Sequence, residues 1–257
     1  MGIEEVLPDM TGISEAVILM AGEGSRLRGS DDTFLKPFVQ LLGRPLISYV
    51  LDALLRAGMK TVNFVVGYES GRMIEQARQL IPAGLSVSFI ENRDWQKQNG
   101  ISLLAAADCV SKPFFLTMSD HLFDGALIGR LLDSFEPGFL SIAVDRKLDS
   151  IFDLEDAMKV QTRGARITNI GKNLRHYDAI DTGLFVCPVQ IFDYLERAKS
   201  GSRQSDCSLA DAVQLMADDK KIRAIDIGNA WWQDVDTPQM LKQAERQMSE
   251  RLQSAAT

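Results

Sequence analysis

Short apolar runs alternate along this chain with longer segments whose apolar residues recur at helical spacing. Ala16-Val17-Ile18-Leu19-Met20 is apolar without interruption, the pattern of a strand buried on both faces. Residues 46–57 place Leu46, Ile47, Val50, Leu51, Leu54 and Leu55 on one helical face, and Gly58 closes the segment. Residues 61–66 read as a strand, 70–80 as a helix with Pro82 just beyond, and 85–90 as an alternating strand. Residues 99–108 predict a helix that opens on a good cap residue. Residues 114–118 are a second fully buried strand, and 124–135 the next helix, with Asp124 as its cap.

This rhythm predicts an α/β fold with a mostly parallel sheet flanked by helices on both faces. The second half is richer in strands. Residues 140–144, 157–161 and 166–170 predict a small mixed β subdomain over the rim of the main sheet, and 179–186 return to the core. Helices are expected over 191–197 and 209–217, a strand over 222–227, and an amphipathic helix over 238–252. No repeat or long linker divides the chain, so residues 15–257 read as one domain after a short acidic extension, residues 1–14.

Composition narrows the classes. At 257 residues, with 46% apolar and 25% charged residues, the chain is an ordinary globular protein able to bury a substantial core. A net charge of -7 argues against a broad nucleic-acid surface but leaves room for a local basic site. Three cysteines without metal-like spacing suit reduced thiols and a cytoplasmic location. Two histidines exclude a histidine-rich metal centre. No apolar run is long enough to span a bilayer, and the start lacks the basic region of a signal peptide.

The chemistry concentrates where the first strand ends. It empties into Ala21-Gly22-Glu23-Gly24-Ser25-Arg26-Leu27, and Lys36-Pro37 follows. A glycine-rich turn after a strand presents backbone N–H groups to an anion, and Arg26 and Lys36 add fixed positive charge. That suits a triphosphate. The dinucleotide fingerprint fails because Leu27 holds its third glycine position, and the Walker loop fails because Ser30 stands where its lysine belongs.

Ligands of such sheets bind beyond the carboxyl ends of the strands, so this turn, Glu91-Asn92 and Asp120 are expected on one rim. Asp120 directly follows a buried strand and is placed to hold Mg²⁺. Asp234 is expected to complete that metal site, with Asp236 the open alternative as second ligand; Asp236 or Thr237, just before Pro238, starts a helix, and Asp236 reads as its cap. Gln98, Asn99 and Ser102 can read a base edge or form a capping cluster; both readings stand. Lys172 reads from its spacing as an exposed turn residue, and His121 equally as a ligand or as a structural neighbour of Asp120. Trp231 and Trp232 read as packing residues.

Together these residues resemble the sugar-phosphate nucleotidyltransferase family, whose hallmark is an L-A-x-G-x-G-x-R-L loop with a following K-P. Further similarity lies in Asn99-Gly100-Ile101-Ser102-Leu103-Leu104, Leu116-Thr117-Met118-Ser119-Asp120-His121, Ile170-Gly171-Lys172-Asn173-Leu174, Ala179-Ile180-Asp181-Thr182-Gly183 and Asp234-Val235-Asp236-Thr237-Pro238. Within that family the chain looks most like the branch that uses CTP and inositol 1-phosphate. The resemblance implies a Rossmann-like core, with a nucleotide-binding half over about 15–137 and an acceptor-binding half over about 138–257. It implies that Ala21, Gly22, Glu23, Gly24, Ser25, Arg26 and Lys36 hold the CTP phosphates, and that Glu91, Gln98, Asn99, Gly100 and Ser102 complete the nucleotide site. Asp120 and Asp234 would bind Mg²⁺, and Lys172, Asp181 and His121 would face the acceptor.

The expected reaction transfers CMP from CTP to inositol 1-phosphate, with Arg26, Lys36 and Asp120 as catalytic residues. Ser119 stands where relatives commonly have glycine, and Met158, near the acceptor, where threonine is expected. Expected partners are the two small-molecule substrates, with no nucleic acid and no membrane insertion; a homodimer is one open oligomeric state. Relatives often carry a fused membrane-embedded transferase domain, so any lipid-forming step is expected in another protein. Alternative acceptors are phosphocholine, an aminoalkylphosphonate or a sugar 1-phosphate, though aromatic residues for gripping a cationic acceptor are scarce at 7%. A non-catalytic nucleotide-sensing module is the alternative of another class. It would be expected to lack a metal carboxylate or the loop arginine, and both are present here.

Overall fold

Strand β1 (Glu15–Met20) sets the architecture. Its side chains alternate between two apolar clusters: Ala16, Ile18 and Met20 face one, Val17 and Leu19 the other. A strand with apolar residues on both sides must be covered on both sides, and that demand organises the fold. The computed structural model describes residues 12–28 and 34–255; the expected extension 1–14 lies almost wholly outside the described residues.

After β1 come a short helix α1 (Ser25–Arg28), a 3₁₀ turn Lys36–Phe38, and a hairpin of β2 (Gln40–Leu41) and β3 (Arg44–Pro45). Next are α2 (Leu46–Arg56), β4 (Thr61–Val66), α3 (Ser70–Arg78), β5 (Ser86–Glu91), α4 (Asn99–Leu104), β6 (Phe114–Met118), β7 (His121–Phe123) and α5 (Ala126–Asp133). The second half holds β8 (Leu140–Asp145), β9 (Lys159–Arg163), β10 (Arg166–Gly171), β11 (Ala179–Cys187), α6 (Ile191–Gly201), α7 (Leu209–Asp218), β12 (Ile222–Asp226), β13 (Trp232–Asp234) and α8 (Pro238–Ala255).

One sheet of nine strands runs in the order β5-β4-β1-β6-β11-β8-β12-β10-β9. It is parallel from β5 to β6, as the alternating first half requires. From β11 onward it is mixed: β11 runs antiparallel to both β6 and β8, and only β12 pairs parallel to β8. Helices α2, α3 and α5 cover one face and α4, α6 and α7 the other. Helix α8 packs on a third small cluster around Leu41, Leu46, Leu122 and Val235.

The strands expected to form a small β subdomain over the rim are continuous with the main sheet. Strand β8 is buried along its whole length, so it sits inside the main sheet. The β9–β10 hairpin pairs through β10 with β12 and through β9 with β11, continuing the same sheet. Only its Gly171 end reaches the rim. Helix α4 is also shorter than expected, because beyond Leu104 the chain tightens into i→i+3 turns at Ala106, Ala107 and Cys109. Among the described residues no helix is long and apolar enough to cross a membrane.

Candidate active site

The phosphate turn and the Lys36-Pro37 pair are built against each other. Gly24 has φ +66, a conformation that glycine adopts without strain, and a Cβ there would fall 2.7 Å from Cβ of Lys36. The lysine stem therefore lies directly on the glycine. Pro37 is the second residue of the 3₁₀ turn Lys36–Phe38, and both it and Lys36 are buried. The ammonium of Lys36 donates to Oδ2 of Asp120 and to Oδ1 of Asp236.

From there a row of alternating charge crosses the rim. Asp236 Oδ2 accepts from Nη2 of Arg26 at 2.6 Å. Nη1 of Arg26 donates to Asp156 at 2.7 Å, and Asp156 accepts from Nζ of Lys172 at 2.5 Å. At the other end Asp120 Oδ1 lies 2.7 Å from Nδ1 of His121. The row thus reads Lys172, Asp156, Arg26, Asp236, Lys36, Asp120, His121, and joins residues from both halves of the chain.

Asp120 and Asp234 are brought close by two short strands that the sequence pattern did not reveal. Strands β7 and β13 pair antiparallel, with Asp234 opposite His121. The N–H of Val235 donates to the carbonyl of Asp120 at 3.0 Å, fastening the two segments. Gly183, φ +73, lets the His121 ring lie on its α-carbon; a Cβ there would fall 2.3 Å from Nε2. The ring also stacks at 6.4 Å on Trp232, whose indole N–H donates to Asp145.

The electrostatics follow from burial and pairing. Burial opposes the Lys36 charge, but Asp120 and Asp236 outweigh it and hold the ammonium above the ordinary lysine value. Burial likewise opposes the Asp120 charge, yet Lys36 and His121 hold this carboxyl well below the usual range. Burial works to lower His121, and the Asp120 hydrogen bond and charge win, raising it. Asp234 is different: burial pushes its carboxyl up, His121 only partly offsets this, and Asp236 and Asp120 add to the rise. Asp181 is raised to about 6 by burial, against one hydrogen bond from the N–H of Gly183 at 2.8 Å.

Two cavities flank the row. One, of about 350 Å³, is lined by residues 19–22 and 24–26, Lys36, Pro37, Trp95, Lys97, Asn99 and Ser102. The other, about 480 Å³, is lined by His121, Asp145, Phe152, Asp153, Asp156, Lys172, Asp181, Trp231, Trp232 and Asp234. Arg26, Asn99, Met118, Asp120 and Asp236 border both.

Of the sequence-designated residues, Ala21, Gly22, Gly24, Ser25, Arg26, Lys36, Asn99, Ser102, Asp120, His121, Lys172, Asp181 and Asp234 line these cavities. Glu23 lies in the same turn, and Gly100 is buried beneath. Glu91 and Gln98 do not join them. Glu91 ends the edge strand β5 and accepts from Ser70, and the backbone N–H of Gln98 binds Asp206.

No side chain caps α4. Asn99 Oδ1 instead accepts from the N–H of Leu209 at 2.8 Å, and Ser102 accepts from Asn92. The capping expectations for two aspartates are corrected. Asp124 accepts from the N–H of Trp231 and from Arg251, tying β7 to the segments before β13 and in α8. Asp236 is committed to Lys36 and Arg26, and Thr237 caps α8 through its hydroxyl at 3.2 Å from the N–H of Met240. Asp156 is the site residue that sequence reasoning missed, and Asp236, an alternative second metal ligand from the sequence, is instead bound to Lys36 and Arg26. Asp156 lies in an irregular segment with no motif.

Comparison with known proteins agrees with this geometry. The MobA-like NTP transferase domain matches residues 16–158. The bifunctional IPC transferase and DIPP synthase of Rubrobacter xylanophilus is 34% identical over 231 residues, 90% of this chain and 51% of that protein. The protein of the same name from Aquifex aeolicus is 30% identical over 235 residues, 91% of this chain and 51% of that protein. The chain thus spans about half the length of the curated relatives it matches. The structure of the inositol-1-phosphate CTP transferase from T. maritima superposes with a TM-score of 0.81 at 29% identity, covering 92% of this chain and 95% of that one. With a glycine turn, a lysine and paired aspartates assembled on the carboxyl rim, and with more than half its length matched, the chain belongs to the MobA-like NTP transferase family.

Proposed function

We propose that this chain transfers CMP from CTP to inositol 1-phosphate, giving CDP-inositol and pyrophosphate in a Mg²⁺-dependent reaction. The observation that carries this reading is the alternating row of charge between two cavities, with the phosphate turn on one side and the second cavity, rimmed by Lys172, on the other. The choice of CTP and inositol 1-phosphate is supported by the activity named for the T. maritima structure.

In the reaction a phosphate oxygen of the acceptor bonds to the α-phosphorus of CTP. The bond from that phosphorus to the bridging oxygen breaks, and pyrophosphate leaves with its electron pair. The attacking oxygen is already anionic, so no general base is needed. The chain supplies alignment and charge. Lys36 and Arg26 are held as permanent cations and turn from Asp236 and Asp156 toward the phosphates. The amide nitrogen of Asn99, left over once its oxygen binds Leu209, donates to an acceptor edge of the base. Lys172 takes the acceptor phosphate, and Asp181 accepts from ring hydroxyls.

The residues present fit a hard divalent cation. Among the described residues no three metal-ligating side chains converge, but Mg²⁺ takes only one or two carboxylates beside water and phosphate oxygens. Both oxygens of Asp236 are bound by Lys36 and Arg26, whereas at Asp234 His121 and Lys36 only partly offset the buried carboxyl. Asp234, beside Asp120 across the β7–β13 pair, would hold the ion together with Asp120. When bound, it supplies charge neutralisation at the phosphates.

A panel of four nucleoside triphosphates against phosphorylated polyols, sugars and amino-alcohols, read by pyrophosphate release, tests the proposal. CTP with inositol 1-phosphate is expected to be fastest. A faster hexose 1-phosphate with another triphosphate contradicts the specificity, and no release with any pair contradicts the reaction class. One observation favours a second reading. The acceptor cavity carries Phe152, Trp231 and Trp232 among several carboxylates, a lining that suits an amine-bearing acceptor such as phosphocholine or an aminoalkylphosphonate. The amino-alcohol arm of the same panel decides it.

A further inference from the structure

We propose that Asp156 is an internal stand-in for the acceptor's phosphate: it holds Arg26 and Lys172 in place in the empty site and is displaced when a phosphate monoester arrives. This rests on reading the larger cavity as the acceptor site. Three observations carry it. First, the single carboxylate accepts from Arg26 at 2.7 Å and from Lys172 at 2.5 Å, on oxygens Oδ2 and Oδ1 respectively. An anion with two oxygens bridging the loop arginine and the acceptor-side lysine is what a phosphate in transit to CTP would also be.

Second, the clasp is weakly built. The side chains of Arg26, Asp156 and Lys172 are 53%, 42% and 49% exposed, so solvent screens both pairs and little free energy opposes their exchange. The Lys36 end of the row contrasts with this, since its side chain is only 10% exposed. A dianionic phosphate, with more charge and more acceptor atoms, outcompetes one half-exposed carboxylate. Third, Asp156 lies in a segment of turns between β8 and β9, and Phe152 of that segment stands 49% exposed at the same cavity. No strand pairing has to break for Asp156 to move.

The consequence is a specificity device. An acceptor without a phosphate cannot replace Asp156, so the clasp selects against the free polyol. The test is steady-state kinetics and calorimetric binding of inositol 1-phosphate, with free inositol as control, on the full chain and its variants. Asp156→Asn keeps the shape but loses the charge. It is expected to lower KM and Kd for inositol 1-phosphate by about tenfold, the scale of two exposed ion pairs, without raising kcat. Binding of free inositol is expected not to gain. Asp156→Glu restores the anion and is expected to behave like the parent chain. Glu155→Gln removes an exposed neighbouring charge that lines neither cavity, and is expected to shift KM less than twofold, about the scale of a screened charge.

Equal gains in Asp156→Asn and Glu155→Gln mean a general charge effect and overturn the inference. An unchanged or raised KM in Asp156→Asn, with a lower melting temperature, means a structural strap and also overturns it. If the parent chain turns over inositol 1-phosphate but Asp156→Asn gains nothing, the displacement idea alone fails. If the parent chain neither binds nor uses any phosphorylated acceptor, the functional reading itself fails.

Discussion

Lys36 is the residue on which the site turns. A buried ammonium between two carboxylates is expensive to isolate, so each partner fixes the others. Replacing Lys36 with alanine is expected to lower kcat by about 100-fold or more, the scale of losing one charge-stabilising donor. Asp120→Asn is expected to abolish pyrophosphate release while circular dichroism stays that of the parent; near-normal release refutes the metal assignment. Asp236→Asn separates two roles. If the carboxylate orients Lys36 and Arg26, kcat falls with helix content unchanged, whereas a capping role would cost stability and spare kcat.

Asp181 gives a pH signature. Its carboxyl titrates near 6 in the folded chain, above the ordinary aspartate value of 3.8, because burial favours the neutral form. The folded state therefore binds the proton more tightly than the unfolded state, and this stabilisation is complete below the ordinary value. It is lost as pH rises through about 6. Asp181→Asn is expected to lose this dependence. Relative to the parent chain it should be less stable near pH 4 and gain steadily toward pH 7, read by thermal unfolding. A constant difference across that range contradicts the assignment.

At this scale the sequence was legible where a residue type had one plausible task. Arg26, Lys36 and Asp120 stood beside a glycine turn or directly after a buried strand, and their surroundings follow from that placement. Asp236 is ambiguous in the sequence because Asp-Thr-Pro offers two caps and Asp236 is also a candidate ligand; the structure gives the cap to Thr237 and Asp236 to Lys36 and Arg26. Asp156 was illegible because its partners are 130 positions before it and 16 after it, and nothing local marks it.

Among the elements, the strands buried on both faces were the most legible, since an unbroken apolar run permits few other structures. The β9–β10 hairpin reads as a small subdomain over the rim because short alternating strands do not say which edge they join, whereas it continues the main sheet through β12 and β11. Strands β7 and β13, three residues each, were hidden among site residues, where chemistry rather than periodicity dictates the sequence. The packing of β11 against β7 gives a prediction at this level. Gly183→Ala combines a strained φ of +73 with a Cβ inside the His121 ring, so the ring must shift and take Asp120 with it. Activity is expected to fall by at least about tenfold, more than the melting temperature alone accounts for. Unchanged kcat would mean that the ring can move without disturbing Asp120.

Across the whole molecule, one sheet carries two halves of different grain: a parallel half that ends in the phosphate turn and a mixed half that brings in Lys172 and Asp181, while the separate β7–β13 pair delivers Asp234. The row of alternating charge is the seam between them. A ligand bound at that seam should stabilise both. CTP with Mg²⁺ at about 100 times Kd adds about 2.7 kcal/mol, or roughly 5–10 °C in melting temperature for a chain of this size. NAD⁺ is expected to give no shift, because Leu27 breaks the dinucleotide loop. An equal shift with NAD⁺ would contradict the reading of the turn.

The most direct test is a phosphorus NMR time course of the full chain with Mg²⁺, CTP and inositol 1-phosphate. The account predicts that CTP and acceptor signals fall together while pyrophosphate and a new diphosphate diester rise in equal amounts, with neither appearing for Asp120→Asn. CTP consumed without loss of the acceptor signal, or diester formed equally well by Asp120→Asn, would contradict it.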